Sequence, residues 1–101
     1  MSVTIIARSS VADVTKAVEW VRANAPLAEE ITAYGKSLGQ LGHRIVTGDD
    51  ELVVIDEWGN AEQFQKFFER NTKIEEFVVG TGATGAPAIS VFDSVEMPGT
   101  F

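Results

Sequence analysis

The 101-residue chain is apolar at 45% of its positions and charged at 23%, the composition of one folded domain over 1–101 with room for a single core. With 15 acids against 8 bases its net charge is −7, which repels phosphate backbones and anionic lipid and so speaks against nucleic-acid and membrane partners. Having no cysteine excludes disulfides, thiolate nucleophiles and thiolate metal sites; the apolar run Val3–Ala7 is too short for a signal-peptide core or a membrane span, so a cytoplasmic location is expected.

Val3–Arg8 is short and β-branched and reads as a first strand, with Val3, Ile5 and Ala7 on one face and Thr4, Ile6 and Arg8 on the other. Ser10, with Asp13 three residues on, predicts a helix start, and Val11, Val14, Val18 and Val21 form one stripe of a helix reaching Asn24. Trp20 lies off that stripe, at its edge or toward a partner. Pro26 interrupts the pattern, and Leu27, Ile31, Tyr34 and Leu38 restart it as a second helical segment over 27–38. Gly35, Gly39 and Gly42 then lead back to the sheet.

His43–Gly48 predicts the second strand, Asp49-Asp50 a turn, and Glu51–Trp58 the third strand, a hairpin pattern. Gly59 breaks the strand, and Asn60 with Gln63 resembles a capping box opening a helix whose Phe64, Phe67 and Phe68 share a face. Asn71-Thr72 with Glu75 repeats the capping pattern for a short segment reaching Gly80. A loop over Gly80–Pro87 leads into a last strand, Ala88–Met97, which Pro98-Gly99 ends.

The order β-α-β-β-α-β, with an extra helical piece on each crossover, predicts an α+β, ferredoxin-like fold: a four-stranded antiparallel sheet with helices on one face. Val53 and Ile55 oppose Leu52 and Val54 in the third strand, and Ile89 and Val91 oppose Ala88 and Phe92 in the last. Neither face is polar enough to meet water, so a homodimer through the uncovered sheet face is expected.

The β-branched strand ending in Trp58, the small Gly59, the capping Asn60 and the Phe-bearing helix resemble the dimeric α/β-barrel superfamily over 43–97. That superfamily includes antibiotic-biosynthesis-type monooxygenases, haem-degrading monooxygenases, aromatic polyketide cyclases and muconolactone isomerases. The resemblance implies a dimeric barrel and cofactor-free monooxygenation, cyclisation or isomerisation of a small apolar or aromatic compound. The haem-degrading members share an asparagine on the first strand, a tryptophan a turn into the second helix and a later histidine. Here the first strand has no asparagine, Phe67 takes the helix position and 73–77 holds no histidine, so haem oxygenation is disfavoured.

Among candidate motifs, Gly80-x-Gly82-x-x-Gly85 matches the dinucleotide fingerprint by letter, but that mechanism needs a strand before it and a helix N-terminus after it. Asp49-Asp50-Glu51 is too contiguous to converge on a cation and reads as a solvated turn. A lone His43 without cysteine offers no transition-metal set, so neither a metal nor a cofactor is expected.

Register gives His43 its interest. A two-residue turn at Asp49-Asp50 pairs Gly48 with Glu51, Ile45 with Val54 and His43 with Asp56, whereas an odd-length loop would bring His43 opposite Glu57. The first arrangement places His43, Ile45, Leu52, Val54, Asp56 and Trp58 on one face. Two readings of the pair stay open: a general base toward an acidic phenol or enolisable carbonyl, or a cross-strand pair that neutralises Asp56. The first implies an enzyme with catalytic His43 and Asp56, pocket walls Tyr34, Trp58, Phe64, Phe67 and Phe68, and Arg8 or Arg44 as anion partners. The second implies a non-catalytic dimeric binding or structural module whose aromatics are core.

Overall fold

The computed structural model describes residues 2–101. Its elements run β1 (Val3–Ser10), α1 (Val14–Ala23), α2 (Ala25–Ser37), β2 (Gln40–Thr47), β3 (Glu51–Trp58), α3 (Ala61–Phe68), α4 (Thr72–Gly80) and β4 (Ala88–Asp93). The strands form one antiparallel sheet in the order β2-β3-β1-β4, the ferredoxin-like α+β arrangement. No helix among the described residues is long and apolar enough to cross a membrane.

Several boundaries move from the sequence reading, each because tertiary pairing outweighs a local signal. β1 continues through Ser9 and Ser10 because they pair with Leu52 and Glu51. α1 therefore starts later, capped by Asp13, whose Oδ1 accepts from the Lys16 N–H at 3.0 Å. Val11 is not on the helical stripe; it is buried in a bridge to Ala83, and its N–H donates to the Asp50 carbonyl. α2 begins at Ala25, directly after Asn24, with Pro26 in its first turn where a missing N–H costs nothing.

β2 begins at Gln40 rather than His43. Gly39, at φ 103°, makes the turn from α2, and a bulge between Gln40 and Gly42 turns Leu41 out to solvent. Asn60 and Asn71 cap α3 and α4, accepting from the Gln63 and Ile74 N–H groups at 2.9 and 3.3 Å. β4 stops at Asp93, four residues before the expected Met97, because its partner runs out: Asp93 pairs with Val3 at the start of β1.

One sheet face carries Val3, Ile5, Ala7 and Ser9 of β1, His43 and Ile45 of β2, and Leu52, Val54, Asp56 and Trp58 of β3, and the helices pack on it. Its core is Val3, Ile5, Trp58, Phe64 and Phe67, flanked by Ile31, Leu38, Ile74 and Ile89. A second cluster joins Val11, Ala17 and Leu52 to Val14, Val18 and Phe77. Trp20 packs edge-on against Phe77, ring centroids 5.8 Å apart, over Gly80 of α4. The opposite face carries Ile6, Arg8, Arg44, Val46, Val53, Ile55 and Phe92, and among the described residues none of these belongs to the two clusters in which the helices pack on the sheet.

Candidate functional site

A cavity of about 100 Å³ lies between the sheet and helices α2, α3 and α4. Ile5, Ala7, Ile45 and Val54 form its floor, and Ile31, Phe64, Phe68 and Phe77 its roof. Period-two alternation on the strands supplies the floor, and the i, i+3, i+4 spacing of α3 supplies aromatic rings to the roof.

His43 and Asp56 line the same cavity. They are direct cross-strand partners, and Nδ1 of His43 lies 2.6 Å from Oδ1 of Asp56. The Asp56 side chain is 8% exposed and that of His43, on the edge strand, 33%, so the carboxylate sits inside and the imidazole stands toward solvent. With the carboxylate as acceptor, the proton between them sits on Nδ1, which leaves the lone pair on Nε2 of a ring that lines the cavity.

The structure separates the remaining sequence candidates. Phe64, Phe67 and Phe68 line the cavity. Trp58 does not: fully buried, it supports the roof from behind, its ring 6.1 Å from that of Phe64 and 5.0 Å from that of Phe67. Tyr34 stacks on Phe67 at 5.8 Å but is 45% exposed and lies outside the cavity lining. Arg8 and Arg44 are on the opposite sheet face, since each is one residue out of phase with the inward positions, and neither reaches the cavity as an anion partner. Arg8 instead pairs with Glu51 at 2.8 Å, whose hydrogen bond and charge raise its pKa.

Three polar cavity residues were not singled out from sequence: Ser9, Thr32 and Thr81. Ser9 was hidden because the expected first strand ends at Arg8, although it shares the phase of Ile5 and Ala7. Among the described residues no three His, Cys, Asp or Glu side chains are grouped to hold a metal ion. The Gly80–Gly85 motif follows the C-terminus of α4 and leads to β4, so no helix N-terminus stands where a pyrophosphate would need one.

No family model and no curated protein sequence matches the chain. Solved structures do. The chain is similar to SnoaB, a cofactor-independent oxygenase from Streptomyces nogalater, at 14% identity and TM-score 0.66, with 98% of each chain covered. It is similar to a Caulobacter crescentus protein provisionally named an antibiotic biosynthesis monooxygenase, at 18% identity and TM-score 0.68, covering 94% of this chain and 91% of that one. A dimeric ferredoxin-like protein from an uncultured marine organism aligns at 11% identity and TM-score 0.69, covering 95% and 90%. The chain thus has the fold of the antibiotic-biosynthesis-monooxygenase-like, ferredoxin-like proteins that its sequence resembles.

Proposed function

We propose that the protein binds a small apolar, aromatic compound in the cavity beneath α2–α4 and deprotonates it with His43. The observation that carries this reading is the His43–Asp56 pair at 2.6 Å on the wall of a mostly apolar cavity. Such a cavity selects its ligand by shape and apolar area, while a few placed polar groups orient it.

In the proposed step, Nε2 of His43 takes the proton of an acidic phenol O–H or of a C–H beside a carbonyl. The electron pair stays on the substrate as phenolate or enolate. The imidazolium that forms is held by Asp56, which also keeps the ring in the productive tautomer. This deprotonation is the entry step common to cofactor-free oxygenation, cyclisation and isomerisation, and no cofactor takes part in it. The fold likeness to SnoaB, a cofactor-independent oxygenase, supports that setting.

Size bounds the substrate. The cavity, about 100 Å³, is below the ~150 Å³ that holds benzene in an engineered core, so at most one ring lies inside it, with the rest of the molecule toward the opening beside His43. An interior left open rather than filled favours ligand binding over a purely structural module.

The protein is further proposed to act as a cytoplasmic homodimer joined through the outer sheet face. Ile6, Val46, Ile55 and Phe92 lie there, with Val46 40% and Phe92 52% exposed. A dimeric ferredoxin-like protein of the same fold supports this assembly. A thermal-shift screen against single-ring phenols and aryl ketones tests the binding step: a ligand at about 100 times its Kd adds about 2.7 kcal/mol to the folded state. A melting temperature that no such compound moves would contradict the reading.

A further inference from the structure

The floor of the cavity is open over one rung of the sheet and closed on either side of it. On β1, Ile5 and Ser9 face the helices and are 1% and 9% exposed, yet Ala7 between them on the same face is only half-buried. β3 repeats the pattern: Asp56 and Leu52 are buried, and Val54 between them is half-buried. Val54 pairs directly with both Ala7 and Ile45, and Ala7 also pairs with Ile89. Ile45, Val54, Ala7 and Ile89 thus form one rung, and none of them is fully buried.

Central strands under packed helices bury their inward side chains unless space is left above them. β1 and β3 are the central strands, and Ala7 is the smallest side chain of this rung, set between Val54 and Ile89. Its missing methyl groups leave the space, and Ala7 and Val54 both line the cavity. The base stands one rung away. His43, Asp56 and Ile5 share the neighbouring rung, two residues or about 7 Å along the strands. A ring lying over Val54 and Ala7 is therefore offset from His43, and a short alkyl spacer carries the reacting carbon across that offset.

We infer that Val54 and Ala7 are the bed of the ligand's ring and that Ala7 sets its permitted thickness, making the substrate an arylalkyl ketone rather than its saturated-ring counterpart. This rests on the cavity being a ligand site, as proposed above, and it narrows the ligand class. A space of about 100 Å³ suits a flat ring, because a puckered one of the same outline needs more height above the floor. Hydrophobicity alone would favour the opposite choice, since a saturated ring is the more apolar of the two.

The probe pair is para-hydroxybenzylacetone and its ring-saturated counterpart, which keeps the same hydroxyl and side chain. Both are titrated calorimetrically into the full chain, Ala7→Val and Ala7→Gly, and each protein's melting temperature is recorded. The parent should bind the aromatic ketone about tenfold tighter or more, the scale on which an apolar pocket rejects a group too large for it. Ala7→Val, which fills the space, should weaken the aromatic ketone by a similar factor while melting no lower than the parent. Ala7→Gly, which deepens the floor, should shrink the preference for the flat ring. Equal binding of both ketones by the parent, unchanged affinity in Ala7→Val, or an unchanged preference in Ala7→Gly overturns the inference and leaves the cavity reading standing. A lower melting temperature in Ala7→Val shows that no open space lies over Ala7 and overturns it too. Binding of neither ketone by the parent removes the cavity reading and this inference together.

Discussion

Nδ1 of His43 lies 2.6 Å from Oδ1 of Asp56, on neighbouring antiparallel strands, with the carboxylate the more buried of the two. Removing either partner therefore acts differently on stability. His43→Ala leaves a buried carboxylate without its hydrogen bond and should cost about 1–3 kcal/mol, whereas His43→Gln, which still offers a donor, should cost less. Urea denaturation of the two variants checks the order; equal midpoints would contradict it.

The three rings of α3 all line the cavity but are buried to different depths. Phe67 is 5% exposed and touches Trp58 and Tyr34, so Phe67→Ala should destabilise by about 3–5 kcal/mol. Phe68 is 37% exposed and among the described residues pairs with the Phe64 ring alone, so Phe68→Ala should cost clearly less and act on ligand affinity. Chemical denaturation together with ligand titration separates the two.

Gly80 makes room on α4 for the Trp20 indole. A Cβ built there falls 1.9 Å from Cζ2 of Trp20, so Gly80→Ala must displace the indole that joins α1 to α4. The expected loss is about 1–3 kcal/mol, and Trp20→Phe in the same background should recover part of it by making room. Melting curves of the single and double variants read this directly.

The outer sheet face carries the assembly prediction. An interface of standard size buries about 1,600 Å² in total, which a sheet-to-sheet contact supplies. Ile55→Lys, on the central strand β3, should shift the protein from dimer to monomer in sedimentation velocity while leaving its helical signal unchanged. A parent chain that sediments as a monomer at micromolar concentration would contradict the assembly.

How much of this was legible in sequence follows from the physics of each element. The Asp49-Asp50 turn sets the β2–β3 register, and with it the meeting of His43 and Asp56, because side-chain phase has period two. Which face they occupy was not legible, since both faces of β3 are apolar and only the packed helices distinguish them. Arg8 and Arg44 were misplaced although phase alone puts each opposite to Ser9 and His43. Tyr34 has the spacing of a wall residue, but its ring stacks on the outside of Phe67, a choice made by packing between α2 and α3. The late start of α1 and the early end of β4 were hidden because each is decided by a partner strand distant in sequence.

The central claim is that His43 removes a proton from a ligand held in this cavity. The most direct test is deuterium exchange at the carbon beside the carbonyl of para-hydroxybenzylacetone, followed by NMR with the parent and with His43→Gln. The account predicts exchange well above the buffer rate with the parent, and a loss of about 10²–10⁴-fold in His43→Gln. Exchange at the same rate with the parent, with His43→Gln and in buffer would contradict it.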